Sequence, residues 1–489
     1  MSKSFPKPSS RPLRVGISSL LALALTASSS TWAHEGHDHA VAAVKPADYY
    51  KPTAMPDRVV LTLNGDPRTS AAVSWRTSVE VTQGMVEIAK AEANPYFSEK
   101  AKQMIAATEA LKTDINTAHF HTGKFDGLVP DTKYAYRVGD GTNWSEWFHF
   151  KTAGASNEPF SFIYFGDAQN NIRSLWSRVI REAYSDAPKA AFLLHAGDLI
   201  NSAEADAEWG EWFGAGAWIN ASMPNVAIPG NHEMAKGDNG KRVSHHWRPQ
   251  FEFPMNGPAG LEETCFSIQY HNMLLVAMNS NEQQELQAKW LEELLEKNKL
   301  EWVVCTFHHP IFSTGKDRDN PELRALWKPI FDKYKVDLVL QGHDHTYGRT
   351  GLHVPSEISA PAEAQAVGSS AAVSGAGVSG PAATSVPQTI ANVPTGVQKV
   401  DESTGTVYVV SVSGPKMYNI QRHDFMPRVA EDTQLYQVVR IDGGKLLFEA
   451  RTAIGELYDA FELQKQPGKI NLMKEITPEV PEHVRPAAK

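Results

Sequence analysis

Cysteine is scarce in this chain of 489 residues, which contains only Cys265 and Cys305. Each lies in an apolar, strand-like stretch, and neither has the clustered spacing of a cysteine metal site. In an exported protein the two could form one disulfide, and two buried free thiols are the alternative that we favour. The sequence therefore excludes a metal site built from cysteines.

Long apolar runs are also scarce, and the one candidate is at the amino terminus. A basic region with Lys3, Lys7, Arg11 and Arg14 precedes the apolar residues 15–27, and Thr31-Trp32-Ala33 resembles a cleavage site. This pattern predicts a signal peptide over residues 1–33 and a secreted or periplasmic protein, with a retained anchor or a disordered tail as alternatives. The run is too short for a standard bilayer crossing, so no membrane span is expected in the mature protein.

Positive charge is in deficit, because 47 Lys and Arg oppose 56 Asp and Glu, giving a formal charge of −9. Such a chain repels a phosphate backbone over most of its surface, so nucleic-acid binding is not expected. The deficit does not exclude phosphate chemistry in a locally positive metal site. The oligomeric state is not indicated by the sequence.

The residues that are present divide the chain into several regions. Residues 34–55 form a histidine-containing linker, and the metal affinity of its histidines is interpreted as incidental. Residues 56–152 contain short strands separated by turns, which predict a β-sandwich with a helical insert near residues 96–111. In residues 159–464 strands alternate with helices, which predicts an α/β domain. A low-complexity insert covers residues 356–397, and residues 465–489 form a polar tail.

Five polar clusters follow predicted strands of the second region, each where a strand ends. In order they are Gly166-Asp167-Ala168-Gln169, Gly197-Asp198, Gly230-Asn231-His232-Glu233, His308-His309-Pro310 and Gly342-His343-Asp344-His345. Strand ends are where α/β sheets place their sites. Carboxylate, amide and imidazole groups are together a ligand set for two divalent metals, with imidazole suiting Fe, Zn or Mn. Two ions about 3.5–4 Å apart would clamp the oxygens of a phosphoryl displacement.

These motifs, in this order and with these gaps, resemble the signature of the calcineurin-like metallophosphoesterases. The run Leu128-x-Pro130-x-Thr132-x-Tyr134 in the first region is similar to one edge of a fibronectin type III domain. Together they resemble the purple acid phosphatase branch. The resemblance implies a metallophosphatase domain, a layered α-β-β-α sandwich, preceded by an all-β sandwich of the fibronectin or immunoglobulin type.

The resemblance also implies roles for individual residues. Asp167 and His345 would bind the first metal, Asp198 would bridge both metals, and Asn231, His308 and His343 would bind the second. His232 would be the catalytic group, protonating the leaving alcohol or steadying the phosphoryl oxygens. Asn231, His232 and Tyr347 are predicted to contact the substrate, a small phosphate ester. Other polar residues near the motifs are interpreted as supporting or surface groups, with substrate contact as the alternative for His245, His246 and Arg248.

The sequence departs from the resemblance at the first metal. Purple acid phosphatases have a tyrosine where this chain has Asn201, and other metallophosphoesterases have a histidine where it has Gln169. Either Gln169 or a water fills the open ligand position, and we predict Gln169. Without a phenolate, ferric iron is less stabilised, so we expect a colourless protein that prefers divalent ions.

The function predicted on these grounds is hydrolysis of phosphate monoesters by in-line attack of metal-bound hydroxide, in an exported acid phosphatase-like enzyme. Two alternatives remain open. One is a phosphodiesterase or nucleotidase with the same site. The other is a secreted binding module in which the metal site is structural.

Overall fold

The computed structural model describes residues 43–237, 240–355, 400–401 and 405–486. The predicted signal peptide and the low-complexity insert lie outside these ranges and stay predictions. The amino-terminal part comprises a short helix and eight strands: α1 (Pro46–Tyr49), β1 (Asp57–Thr62), β2 (Ala71–Thr77), β3 (Met85–Lys90), β4 (Lys102–Ile105), β5 (Ala107–Lys112), β6 (Thr117–Phe125), β7 (Lys133–Gly139) and β8 (Phe148–Lys151).

These strands form two layers, as the alternating pattern predicts. Strands β4-β3-β7-β8 make one sheet, and β1-β2-β6-β5 make the other. Between them lies a core that includes Leu61, Trp75, Val86, Tyr136 and Phe150. Burial of these large side chains is the main source of the sandwich's stability.

The prediction of a helical insert near residues 96–111 is wrong. That segment is a 3₁₀ turn, Pro95–Lys100, followed by β4 and β5. Strand β4 pairs with β3, and β5 pairs with β6. Most of its side chains are exposed, so it lacks the buried stripe that would hold a helix on the domain. Backbone pairing at the two sheet edges stabilises extended structure instead.

The second part of the chain contains eighteen further strands and six further α-helices within the described ranges. The helices are α2 (Ser177–Asp186), α3 (Asp206–Gly216), α4 (Trp218–Ser222), α5 (Trp247–Gln250), α6 (Gln284–Lys297) and α7 (Pro321–Tyr334). The strands are β9 (Phe160–Phe165), β10 (Leu193–His195), β11 (Asn225–Ala227), β12 (Met234–Gly237), β13 (Gly240–Val243), β14 (Phe266–Tyr270), β15 (Met273–Ala277), β16 (Trp302–Thr306), β17 (Leu338–Gln341), β18 (Tyr347–Arg349), β19 (Val354–Pro355), β20 (Val400–Asp401), β21 (Val407–Val410), β22 (Arg428–Ala430), β23 (Leu435–Asp442), β24 (Lys445–Thr452), β25 (Leu457–Gln464) and β26 (Leu472–Ile476).

Two mixed sheets carry this second part. One has the order β14-β15-β16-β17-β21-β18-β22, and the other includes β26-β25-β24-β23-β9-β10-β11. Both sheets contribute side chains to one hydrophobic cluster, such as Phe162 and Val439 from one and Val304 from the other. Helix α2, with α3 beside it, contacts β23 of the second sheet. Helix α7, with α6 beside it, packs on β21 of the first sheet through Phe331 and Tyr408, which gives the predicted α-β-β-α layering. No helix among the described residues has the length and apolar character needed to cross a bilayer.

Both cysteines lie in this core. Cys265 and Cys305 are buried and unpaired with each other, as favoured from the sequence. The prediction for the carboxyl-terminal tail needs a correction, because residues 472–476 form strand β26, paired along β25. Glu475 on this strand is held by an ion pair with Arg349, a charge-assisted contact that adds to the backbone pairing.

The β-sandwich and the α/β part share a sheet. Strand β1 lies parallel to β11, with Thr62 opposite Asn225. The Asn225 side chain also donates to the Leu61 carbonyl at 3.4 Å. Strands β1, β2, β6 and β5 therefore belong to the same sheet as β11, and the loop after β11 carries Asn231 and His232.

A buried charge network joins the same two regions. Asp206, fully buried at the start of α3, accepts hydrogen bonds from Arg58 at 2.7 and 2.9 Å and from Arg76 at 3.3 Å. Its carboxylate also lies 3.3 Å from the His246 Nε2 atom. Glu204 lies 3.5 Å from the other nitrogen of the same ring. We call Arg58, Arg76, Glu204, Asp206 and His246 the interdomain charge network.

Candidate metal centre

The predicted ligand residues meet where the strands of both sheets end. Asp167 and Gln169 follow β9, and Asp198 follows β10. The residues after β11, β16 and β17 complete the group, which comprises Asn231, His232, His308, His343 and His345. Parallel strands bring their carboxyl ends to one edge, so residues far apart in sequence converge there. The structure thus brings together all seven predicted ligands and His232.

Glycines before the ligands allow the loops to approach closely. A Cβ atom on Gly230 would lie 2.2 Å from Asp198 Oδ1, and one on Gly342 would lie 2.6 Å from Asp167 Oδ2. Asp198, His343 and His345 adopt positive φ angles of 51°, 75° and 53°. Such backbone conformations are costly for residues other than glycine and tend to persist at functional sites.

A first ligand group comprises Asp167, Asp198 and His345, whose ligand atoms all lie within 4.8 Å of one another. Gln169 joins them, with Nε2 lying 2.7 Å from Asp198 Oδ2 and 3.1 Å from His345 Nε2. The Asp167 Oδ1 and Gln169 Oε1 atoms are buried, and no group in the described part of the chain donates a hydrogen bond to either. A cation in this group would satisfy Asp167 Oδ1 directly, and it would satisfy Gln169 Oε1 after a half-turn of the amide.

A second ligand group comprises Asp198, His308 and His343. His308 Nε2 lies 3.2 Å from Asp198 Oδ2, and His343 Nδ1 lies 3.2 Å from His308 Nε2. Asn231 Oδ1 lies 2.8 Å from the His343 nitrogen and 3.1 Å from the His308 nitrogen. These atoms all carry lone pairs suited to a metal, and Asp198 belongs to both groups. The donor set fits two ions.

Hydrogen bonds fix which nitrogen of two imidazoles faces the centre. His308 Nδ1 donates to the Ala196 carbonyl, and His345 Nδ1 donates to the Lys416 carbonyl, both at 2.9 Å. Because a carbonyl can only accept, Nδ1 carries a proton in both rings, and Nε2 is the nitrogen that faces the cluster. Neutral His345 presents the Nε2 lone pair there, and His308 does so once its Nε2 is deprotonated.

Burial and neighbouring charges shift the pKa values of the ligand residues in different directions. Burial raises the pKa of Asp167. Burial alone would lower the pKa of His308, but the charge of Asp198 and its hydrogen bond raise that pKa to about 9. Burial lowers the pKa of His345 to about 3, and it also lowers the pKa of His343, where the nearby His308 adds to the effect. Neutral imidazole, the form that binds metals, is therefore favoured at His343 and His345.

Glu233 supports the loops that carry the ligands. Its buried carboxylate accepts main-chain N–H bonds from Asp198, Leu199 and Gly230 at 2.7–2.8 Å and from Ile200 at 3.3 Å. Burial and the charge of Asp198 raise the pKa of Glu233 to about 8, while the N–H donors act in the opposite direction. One side chain thereby ties the Asp198 loop to the Asn231 loop.

Replacing Glu233 by glutamine should weaken metal binding and stability together. The new amide group would face two N–H donors that have lost their acceptor, at a cost of about 1–3 kcal/mol. Loss of such supporting bonds typically lowers metal affinity by about 10- to 100-fold. Thermal unfolding and metal titration measure both effects. Glu292→Gln, which removes only an exposed ion pair with Lys333, is the matched control, and equal behaviour of the two variants would contradict the prediction.

His232 is the predicted catalytic residue, and its ring borders the cluster without joining either ligand group. Its Nδ1 donates to the Asn201 carbonyl at 2.5 Å, and its Nε2 lies 4.0 Å from Asp198 Oδ2. The side chain is 27% exposed, whereas that of Asp198 is 1% exposed. The arrangement leaves Nε2 facing the open side of the centre, where it can exchange a proton.

Asn201 and Gln169, where the sequence departs from the resembled pattern, lie in different places relative to the centre. The Asn201 side chain accepts a hydrogen bond from Asn170 at 3.1 Å, while its main-chain carbonyl holds His232. It therefore does not stand in for the tyrosine. The Gln169 side chain lies within the first ligand group, with Nε2 toward Asp198 and His345, and its ligation of the first metal stays a prediction.

Tyr347 requires a correction, because the structure places it outside the centre. It is fully buried in β18, and its hydroxyl donates to Asp459 at 2.7 Å. The same carboxylate is held by Arg349, so Tyr347 forms part of a buried polar group in the sheet. Its predicted contact with substrate is wrong, since the strand directs the ring into the core.

Sequence reasoning missed the segment that flanks His345 on the open side. Tyr418 packs on His345 with ring centroids 4.6 Å apart, and Arg318 donates to the His343 carbonyl at 2.9 Å. A signal was available for Tyr418, because residues 414–418 follow strand β21 as the motifs follow theirs. Arg318 had no such signal, since it lies in a loop between elements.

Comparison with known proteins gives two family matches. The family model for the purple acid phosphatase N-terminal domain matches residues 56–152, and that for calcineurin-like phosphoesterases matches residues 160–347. Together they cover more than half of the chain.

Curated relatives are distant and only partly covered. An uncharacterised protein of Mycobacterium tuberculosis is 27% identical over 332 residues, covering 58% of this chain and 60% of that protein. The Fe(3+)-Zn(2+) purple acid phosphatase 12 of Arabidopsis thaliana is 24% identical, covering 60% of this chain and 65% of its own length. The chain thus matches less than two thirds of these relatives' length.

Solved structures share the fold. Purple acid phosphatase PPD1 from yellow lupin (Lupinus luteus) seeds has a TM-score of 0.63 at 17% identity, covering 84% of this chain and 74% of its own. PhoD has a TM-score of 0.57 at 14% identity, covering 88% of this chain and 94% of its own. At these identities the likeness concerns the fold alone.

Proposed function

The chain belongs to the calcineurin-like phosphoesterases, in the branch that carries a purple acid phosphatase N-terminal domain, and we propose that it is a metal-dependent phosphatase acting on phosphate monoesters. The observation that carries the proposal is the pair of ligand groups that share Asp198 beside the open His232 ring. A site that only stabilised the fold would not need a histidine at its open edge.

The proposed metal ligands follow from the donor atoms. Asp167, Asp198 and His345 would hold one ion, with Gln169 offering Oε1 after a half-turn of its amide. Asp198, Asn231, His308 and His343 would hold the other. When bound, two such ions would polarise the phosphoryl oxygens and lower the pKa of a nearby water.

The chain's own residues would orient the ester and handle one proton. The hydrogen bond from Nδ1 to the Asn201 carbonyl holds the His232 ring in place. Its Nε2 would then donate a proton to the leaving oxygen, which avoids expulsion of an unstable alkoxide. Asn231, beside it, would contact the phosphoryl group through the amide edge that faces away from the ligand histidines. We propose attack by water without a phosphoenzyme.

The ligand set also bears on the metals. The first group has no phenolate, since Asn201 directs its side chain to Asn170. Hard ferric iron gains most from such an anionic oxygen ligand, so we propose a preference for divalent Fe, Zn or Mn and a protein without purple colour.

The test is phosphatase activity of metal-stripped protein, restored one ion at a time. The expected result is turnover of p-nitrophenyl phosphate that returns with a divalent ion, with much slower hydrolysis of the bis-ester. A reversed preference would favour the phosphodiesterase alternative. If protein that binds two metals hydrolyses neither compound, the proposal fails and a binding module becomes the better account.

A further inference from the structure

The peptide group between Asn201 and Ser202 lies between the His232 ring and a carboxylate. Its carbonyl accepts the hydrogen bond from His232 Nδ1 at 2.5 Å. Its N–H, which belongs to Ser202, donates to Glu208 Oε2 at 2.8 Å, and the same oxygen accepts the N–H of Asn201 at 2.7 Å. Because the carbonyl and the N–H of a planar trans peptide point in opposite directions, a bond that fixes one also fixes the other.

Contacts of helix α3 hold Glu208 against the loop that contains this peptide. Glu208 lies in the first turn of the helix, and its main-chain N–H donates to the Ala205 carbonyl at 3.0 Å. The helix begins at Asp206, which is held by the interdomain charge network. The indole N–H of Trp209 donates to the Ala203 carbonyl at 3.0 Å, so a second side chain of the helix also binds the loop. Glu208 is therefore fixed in place at both ends of its side chain.

No cation of the described residues competes for the Glu208 carboxylate. Its two side-chain hydrogen bonds both come from main-chain N–H groups, and it forms no ion pair there. The nearby Glu204, by contrast, pairs with Arg242. A carboxylate that accepts a peptide N–H makes the carbonyl of that peptide a stronger acceptor, because linked hydrogen bonds polarise one another. Glu208 thus both orients and strengthens the carbonyl that holds His232.

The His232 ring depends on this one bond. Within the part of the chain that the structure describes, the Asn201 carbonyl is the only hydrogen-bond partner of the ring. The other nitrogen, Nε2, lies 4.0 Å from Asp198 Oδ2 and faces the open side of the centre. If the carbonyl turned away, the ring would be free to rotate, and a misplaced proton donor loses much of its effect on the rate.

We propose that Glu208 is a positioning residue for proton transfer. Its carboxylate fixes the peptide between Asn201 and Ser202, and that peptide holds the His232 ring with Nε2 toward the leaving oxygen of the ester. The inference rests on the proposed function and adds a residue that lies outside the five sequence motifs. Glu208 itself touches neither the substrate nor a metal ligand.

The first test is Glu208→Ala, measured with two esters. The value of kcat for glycerol 3-phosphate, whose alkoxide must be protonated as it leaves, should fall by about 10- to 100-fold. The value for p-nitrophenyl phosphate, whose leaving group needs little protonation, should fall by less than about 3-fold. Both KM values and the metal content should remain those of the wild type. Glu208→Gln should recover most of the loss, because its amide oxygen can accept both N–H bonds.

A double-mutant cycle separates positioning from general support of the fold. In a His232→Gln background, Glu208→Ala should cause no further loss of kcat, because the group that it positions is absent. Asp140→Ala is the matched control, since one oxygen of Asp140 also accepts two main-chain N–H bonds, at 2.8 and 2.6 Å, in a turn of the β-sandwich. It should leave kcat for both esters unchanged. Thermal unfolding checks that each variant is folded.

Zinc-loaded protein gives a second measurement that needs no turnover. At a pH where the ring is neutral, ¹⁵N NMR should show His232 protonated at Nδ1 in the wild type and a mixture of both tautomers in Glu208→Ala. His232→Gln identifies the signal by its absence. An unchanged Nδ1–H signal in Glu208→Ala would overturn the inference.

The kinetic outcomes distinguish this inference from the proposed function. Equal losses for the two esters, loss of metal, or an additional loss in the His232→Gln background would overturn the inference, and so would wild-type kinetics in Glu208→Ala. Each of these outcomes leaves the proposed function intact. If the wild-type protein with two metals bound hydrolyses neither ester, the proposed function fails, and the inference fails with it.

Discussion

Replacing Asp198 by asparagine is expected to remove hydrolysis, with kcat lowered by at least about 10³-fold. Asp198 is the only residue of the described chain that belongs to both ligand groups, so its carboxylate contributes to both ions. Asparagine keeps the shape of the side chain and can still accept the hydrogen bond from the main-chain N–H of His232. It removes the negative charge that a bridging ligand supplies. Metal content by mass spectrometry, measured together with kcat, should show that both ions are bound weakly.

His232→Gln separates loss of metal from loss of proton transfer. Because His232 lies outside both ligand groups, this variant should keep its metals and lose about 10²- to 10⁴-fold in kcat. The loss should be smaller for p-nitrophenyl phosphate, whose leaving group needs little protonation, than for an alkyl phosphate. If Asp198→Asn retained two metals and normal activity, or if His232→Gln lost its metals, the assignment of these two residues would be wrong.

Replacing Asp206 by asparagine should cause a large loss of stability for a single polar substitution. The neutral amide leaves buried Arg58 without an ion-pair partner among the described residues, whereas Arg76 keeps Asp57 and His246 keeps Glu204. Removing one partner of a buried ion pair costs about 3–5 kcal/mol, because the remaining charge is uncompensated. Urea unfolding measures the change. Asp432→Asn removes the exposed pair with Arg485 and should cost about 1 kcal/mol or less; a similar small loss at Asp206 would contradict the prediction.

The interdomain charge network should also make the stability of the protein depend on pH. Burial alone would raise the pKa of Asp206, but the neighbouring His246 ring and the arginine charges lower it. Burial alone would lower the pKa of His246, but Asp206 and Glu204 raise it. The stability that protonated His246 contributes is therefore fully present below its unfolded pKa of about 6.5, and it is lost as pH rises through the raised pKa of the folded state. The stability that ionised Asp206 contributes is lost only as pH falls into the strongly acidic range. In the Asp206→Asn variant, the loss of stability above neutral pH should be smaller than in the wild type.

The candidate centre was largely predictable because each ligand follows its own strand. A buried strand is visible as a local apolar run, and neighbouring parallel strands end at a common edge, so the motifs after β9 and β10 implied the convergence of Asp167 and Asp198. His308 follows β16 in the other sheet, so its place beside them depends on how the two sheets face each other, which only the family resemblance implied.

Other features depended on contacts that a local pattern does not contain. Tyr347 lies within the last motif and was predicted to contact the substrate, but pairing of β18 with β21 and β22 directs its ring into the core. His246 was interpreted as a surface residue with a possible role at the phosphate, whereas Asp206 and Glu204 enclose it in the interdomain charge network. Arg318 and Tyr418 meet beside the ligand histidines, a contact between distant segments that has no signature in either sequence.

The pairing of β1 with β11 limits how this chain can be divided. Residues 56–152 match a family model of their own, yet their sheet supplies the neighbour of β11, the strand that leads to Asn231. A chain beginning at residue 159 would leave that strand as an open edge next to the site, with the apolar Val226 and Ala227 in it. Open edges of this kind invite pairing with other molecules and aggregation. We therefore expect the two-part chain to be the form that can be produced as a stable whole, although two separate family models match its parts.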